Sequence, residues 1–110
     1  MTIATFAQTG DKYQISITGH AGYAHGVPDI VCSACSVLAC TLLQAILSEE
    51  AEGSAKDVSM SEIAGDVRLQ FTACNRERIR AVVETIIQGF ALLQNEYPQH
   101  VKLTARTGER

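Results

Sequence analysis

From Ile30 to Leu47 the chain runs without one charged side chain. No other feature constrains the fold as much. A helix over Ile30 to about Ser48 is apolar almost all round, and such a helix must be covered on most of its sides. The run is only just long enough to span a bilayer. It carries Ser33, Ser36, Thr41 and Gln44, so a buried helix is the better reading. Ala34, Ser36, Ala39 and Cys40 are small enough to let another element approach the axis closely. With 110 residues, the chain is one domain, 1–110. A chain of that size buries roughly two-thirds of its unfolded surface. The core is therefore modest and would gain from being shared in a dimer.

The flanking pattern gives the rest of the architecture. Thr2 to Ala7 reads as a strand, and Gln8-Thr9-Gly10-Asp11 as a turn. Tyr13, Ile15 and Ile17 alternate with Gln14, Ser16 and Thr18, which is a half-buried strand. It delivers Gly19 and His20 to a loop over Ala21 to Pro28. Asp29 stands at the N-cap of the apolar helix, where its carboxylate can accept from free amides of the first turn. Glu49 to Ser54 is a polar exit with Gly53 as terminator. Lys56 to Glu62 forms a strand with Val58 and Met60 on one face. After the turn Ala64-Gly65-Asp66, Val67, Leu69 and Phe71 alternate with Arg68, Gln70 and Thr72. Asn75 caps a second helix to about Glu96. Its stripe is Ile79, Val82, Val83, Ile86, Phe90, Leu93 and Tyr97, and Pro98 ends it. Val101 to Ala105 is a last strand, and Thr107 to Arg110 reads as a frayed tail. The order β-β-α-β-β-α-β makes an α+β fold, a hairpin-based sheet with two helices packed against it.

Charge and cysteine usage exclude some functions. A net charge of −3 argues against a protein built to grip nucleic acid. Arg76, Arg78 and Arg80 are interleaved with Glu77 and Glu84, the pattern of a solvated helix face. Met1 to Gly10 has neither a basic start nor a long apolar run, so no secretory signal is read there. Four cysteines in that context point to the reducing cytoplasm rather than to a disulfide framework.

Residues 19–36, GHAGYAHGVPDIVCSACS, hold two of the three histidines and two of the four cysteines. With Asp29 as cap, Cys32 is the third helical residue, close to the free amides and the positive end of the helix. Those surroundings favour a thiolate, and a thiolate is a nucleophile. The same amides suit an oxyanion. His20, twelve residues earlier, is the candidate proton acceptor and donor. Asp29 caps the helix first and has a second option of orienting His20. Ser36 follows Cys32 by one turn, where it serves the site or bonds back to the helix backbone. Gly22, Tyr23 and Gly26 describe either a loop that orders over a peptide or a plain surface connection. Cys35, Cys40 and Cys74 read as small packed hydrophobes. His25 and His100 read as surface residues. Two rival readings use the same residues. Cys32-Ser33-Ala34-Cys35 is a C-x-x-C at a helix start, the layout of a dithiol redox site, although two leading hairpin strands are not thioredoxin-like. His20, His25, Cys32 and Cys35 would suffice for a tetrahedral zinc, but no second spaced pair supports it.

Gly19-His20-Ala21, then Asp29-Ile30-Val31-Cys32, then Ser36 resemble the ribosomal-processing cysteine protease family, Prp. The resemblance covers the whole chain in length and element order, and the motif is confined to residues 19–36. It implies a cytoplasmic cysteine endopeptidase that removes the N-terminal extension of a large-subunit ribosomal protein precursor, contributing to ribosome assembly. His20 and Cys32 fall on the family's catalytic positions. Asp29 and Ser36 fall on its supporting positions. Gly22, Tyr23 and Gly26 lie in its substrate loop. The resemblance implies a homodimer, with no cofactor, no metal, no direct contact with nucleic acid and no membrane. Two departures stand out. Gly26 lies three residues before the Asp rather than two, with Val27-Pro28 between. Cys35 replaces a small apolar residue and offers Cys32 a disulfide partner. The alternatives are a dithiol redox protein using Cys32 and Cys35, or a non-catalytic ribosome-assembly module.

Overall fold

The computed structural model describes residues 1–108. Two hairpins supply four strands. β1 (Thr2–Thr9) and β2 (Lys12–Thr18) are joined by Gly10 and Asp11, with Gly10 at φ 60°. β3 (Ala55–Ile63) and β4 (Asp66–Ala73) are joined by Ala64 and Gly65, at φ 52° and 87°. The single positive φ at Gly10 in the first turn and the pair in the second both match a two-residue turn to the right-handed twist of its strands. The sheet runs β3-β4-β2-β1-β5, where β5 is Val101–Gly108. The β1–β5 pair is parallel and the other pairs are antiparallel. The expected α+β element order is therefore observed.

One sheet face is apolar and carries both helices, α1 (Ile30–Ala51) and α2 (Arg76–Glu96). Alternation places Ala4, Phe6, Tyr13, Ile15, Ile17, Val67, Leu69 and Phe71 in the core. Tyr13 and Phe71 are cross-strand partners and stack at 5.0 Å. Phe90 of α2 meets Phe6 at 6.0 Å. The helices touch closely at Gly89, where a Cβ would come within 2.6 Å of Leu38. A glycine inside a helix costs about 1 kcal/mol of propensity, and here its missing side chain makes room for the leucine. The three arginines are exposed, as read from the sequence. Arg76 pairs with Asp11 and Arg78 with the buried Glu49, while Arg80 lies 3.6 Å from Glu84.

The structure departs from the sequence expectations at four places. First, α1 is not covered on most sides. Val31, Cys35, Ala39, Leu42, Ile46 and Glu49 face inward, whereas Ile30, Val37 and Leu47 are 59%, 65% and 44% exposed. The helix carries two stripes, one packed within the chain and one facing outward. Second, Cys40 and Cys74 are exposed rather than packed. Cys40 follows the inward Ala39 by one residue, a rotation of about 100° away from the core. Cys74 lies at the β4–α2 junction, beyond the last strand residue. Third, His100 is engaged by the loop after β2, as set out below. Fourth, Thr107 and Gly108 are not frayed but pair with Gln8 and Thr9, since β1 runs two residues beyond Ala7. The rest of the expected tail, Glu109 and Arg110, lies outside the described residues.

Candidate active site

The site begins where β2 stops. Gly19 has φ 86°, in the left-handed region that favours glycine. A Cβ there would lie 2.3 Å from the Met1 carbonyl oxygen. Met1 is held by its neighbour, because Thr2 N–H donates to the His100 carbonyl at 2.9 Å. Gly19 N–H donates to Asp66 Oδ1 at 3.1 Å, which ties the end of β2 to the start of β4. These contacts set the direction of His20. Its Cε1 would be 3.5 Å from a Cβ on Gly65, so the imidazole borders the β3–β4 turn.

Asp29 is the N-cap of α1, in extended backbone at φ −90° and ψ 103°. Its Oδ1 accepts from Cys32 N at 2.9 Å. Its Oδ2 accepts from Tyr23 N at 2.9 Å and Ala24 N at 3.3 Å. One carboxylate thus caps the helix and gathers the loop. The Cys32 amide, with help from those of Ala24, Tyr23 and Val31, holds the Asp29 carboxyl below the usual carboxylate range. Both oxygens are occupied by backbone amides. Among the described residues, no hydrogen bond joins Asp29 or Cys32 to His20.

The loop over residues 21–28 is pinned at its start and open beyond. Ala21 is buried, and its carbonyl lies 3.0 Å from His100 Nδ1. A carbonyl only accepts, so Nδ1 carries the proton. The Tyr23 ring meets Tyr97 at 5.4 Å and His100 at 5.5 Å, both edge-on. Gly22 and Gly26 have φ 67° and 75°, and a Cβ on either would touch nothing within 4 Å. His25 and Val27 are exposed.

His20, Cys32 and Ser36 line one cleft of about 200 Å³, together with Thr2, Gly19, Cys35, Glu62, Gly65 and Val67. Cys32 is half-buried and Cys35 is 4% exposed. Burial raises the Cys35 thiol, with the Thr2 hydroxyl opposing the rise. Thr2 Oγ1 is buried without a hydrogen-bond partner. Gly22, Tyr23 and Gly26 do not line the cleft. Among the described residues, no three His, Cys, Asp or Glu side chains converge on a point that could hold a metal.

Sequence reasoning missed Thr2, Glu62, Gly65 and Val67. They arrive through sheet order and the second hairpin, for which no local motif stands in the sequence. His100 and Tyr97 were missed as loop anchors for the same reason. A His two residues after the Pro that ends α2 carries no signal of its own.

A cysteine at the amino end of a helix, with a histidine across a small cleft, is an arrangement suited to thiol nucleophilic chemistry. The family model of the cysteine protease Prp matches residues 1–102. No curated protein matches the chain. Solved structures similar to it include the ribosomal processing protease Prp from S. aureus with a covalently linked product peptide. That structure has a TM-score of 0.77 at 18% identity, covering 96% of this chain and 99% of that one. The same S. aureus protease with a substrate peptide gives 0.63 at 14%, covering 96% and 99%. SMU.848 from Streptococcus mutans gives 0.66 at 25%, covering 97% and 95%. With nearly its whole length matched, the chain belongs to the Prp family of cysteine proteases and is a cysteine peptidase.

Proposed function

We propose that the chain removes the N-terminal extension of a large-subunit ribosomal protein precursor, with Cys32 as nucleophile and His20 as general base and acid. The reading is carried by one observation: Cys32, at the amino end of α1, and His20, at the end of β2, line the same cleft. The similarity to a ribosomal processing protease seen with substrate and product peptides supports this choice of substrate. Cys32 Sγ attacks the scissile carbonyl as its proton passes to His20. The tetrahedral oxyanion forms at the amino end of α1, where the helix dipole favours negative charge. His20 then protonates the leaving amine, and water attacks the acyl-enzyme to release the new carboxylate. Asp29 supports this by holding the first turn of α1 and residues 23–24 together. Ser36 stands one turn along the cleft wall. This chemistry needs no metal or organic cofactor.

The outward stripe of α1, with Ile30, Val37 and Leu47, is read as the face of a homodimer. Sedimentation as a monomer at micromolar concentration would overturn that part. Four free thiols are consistent with the cytoplasm. Neither nucleic acid nor a membrane has a part in this reading.

The test is cleavage of a ribosomal precursor bearing its extension, in reductant and EDTA, read by mass spectrometry. Wild type is expected to make one cut, and Cys32→Ala none with its fold intact. Equal turnover by Cys32→Ala would refute the mechanism. Binding of the precursor without cutting by wild type would favour an assembly module.

A further inference from the structure

The cleft holds a second thiol that proteolysis leaves without a task. Cys35 follows Cys32 by three residues on α1, and both line the same cleft. Cys32 is half-buried and open to a small solute, while Cys35 is 4% exposed behind it. The Thr2 hydroxyl, 2% exposed and without a hydrogen-bond partner, lines the same cleft. Cys40 and Cys74 are exposed and do not line this cleft.

We propose that Cys32 and Cys35 are a peroxide-sensitive dithiol, in which a hydroperoxide oxidises Cys32 and Cys35 captures the product as a reversible disulfide that silences the site. The inference rests on Cys32 being the reactive thiol of the proposed peptidase site. In the first step Cys32 thiolate attacks the peroxide oxygen. The O–O bond breaks, hydroxide leaves and Cys32 becomes a sulfenic acid, its sulfur losing two electrons to the peroxide. In the second, Cys35 sulfur attacks Cys32 sulfur. The S–O bond breaks, and the leaving hydroxide takes the Cys35 proton to form water.

Helix geometry admits the bond and makes it weak. Residues three apart on a helix have Cα atoms about 5 Å apart, inside the roughly 4.4–6.8 Å that a disulfide accepts. Their Cβ atoms start about 5–6 Å apart and must close to roughly 4 Å. The first turns of α1 must tighten to allow this, and the loop preceding them is open at Gly22 and Gly26. A strained disulfide is more easily reduced, which suits a switch rather than a staple.

The experiment exposes the reduced, desalted chain to stoichiometric hydrogen peroxide, then alkylates it and maps thiols by mass spectrometry. Wild type is expected to lose two alkylatable thiols and the mass of two hydrogens, with the link between Cys32 and Cys35. Dithiothreitol restores both thiols and cleavage. In Cys35→Ala and Cys35→Ser, checked for fold by circular dichroism and given a several-fold excess of peroxide, Cys32 is expected to pass beyond the sulfenic acid to the sulfinic and sulfonic acids, which dithiothreitol does not reverse. Wild type that keeps Cys35 alkylatable while Cys32 gains oxygen, or that links Cys32 to Cys40, overturns the proposal. Cleavage by the reduced protein is scored separately. A Cys32–Cys35 link in a chain that never cleaves the precursor would overturn the proposed substrate and the silencing, and leave only the dithiol chemistry standing.

Discussion

Replacing Gly19 by alanine tests how the fold aims His20, and Gly22 supplies the control. Both glycines have positive φ, 86° and 67°. An L-residue in the left-handed region costs about 1–2 kcal/mol, offset by about 0.4–1 kcal/mol because alanine restricts the unfolded chain. Gly22→Ala has no further term, since nothing lies within 4 Å of its Cβ. Its net cost is about 0–1.6 kcal/mol. Gly19→Ala carries the same terms plus a 2.3 Å approach to the Met1 carbonyl. That approach must open by nearly an ångström against a strand held at Thr2 N–H. Overpacking of this kind costs about 1–3 kcal/mol, for a total of about 1–4.6 kcal/mol. At about 4 °C or more per kcal/mol, the melting temperatures of the two variants should differ clearly. Urea unfolding with unchanged m-values gives the free energies, and the cleavage assay gives the effect on His20. Activity is expected to fall further in Gly19→Ala than its residual folded fraction explains. Equal stability and equal activity in the two variants would refute the reasoning, because only the contact with Met1 separates them.

Two more outcomes follow from the loop. Asp29→Asn retains a good cap, but it faces the Tyr23 and Ala24 amides with a donor. Proteolysis within residues 21–28 is expected to quicken while helix content holds, and unchanged loop cutting would deny Asp29 its second function. The Asp29 carboxyl is held below its unfolded value, so its contribution is present above the ordinary carboxylate range and is lost as pH falls through the folded value. Acid unfolding followed by circular dichroism should therefore show a shallower acid limb in Asp29→Asn. Tyr23→Ala removes two edge-on ring contacts outside the cleft. It is expected to raise KM for the precursor with kcat nearly kept; a fall in kcat alone would place Tyr23 in the chemistry instead.

Local rules carried the elements, because they depend on neighbours in sequence. Alternation in Tyr13, Ile15 and Ile17 and in Val67, Leu69 and Phe71 follows from the period of a strand. The caps Asp29 and Asn75 follow from the free amides of a first turn, and both accept the expected bond. The G-H-A and D-I-V-C spacing was legible for the same reason, as a strand end and a helix start separated by one loop. Composition could say that α1 needs covering but not by what. Its charge-free run from Ile30 to Leu47 contains two apolar stripes, and only packing against α2 and the sheet selected the one through Val31, Leu42 and Ile46. That choice left Cys40 outside and put Cys35 beside Cys32.

The cleft itself was decided by long-range pairing. Thr2 reaches it because β1 lies between β2 and β5, and Glu62, Gly65 and Val67 reach it because β4 pairs with β2. His100 reaches the loop because α2 carries the chain back to a parallel β5 beside β1. Such contacts join residues as far apart as Thr2 and Val101. Their sites depend on register and closure of the whole sheet rather than on any local preference. The sequence by itself determined which groups could react, and tertiary structure alone decided which of them share a cleft.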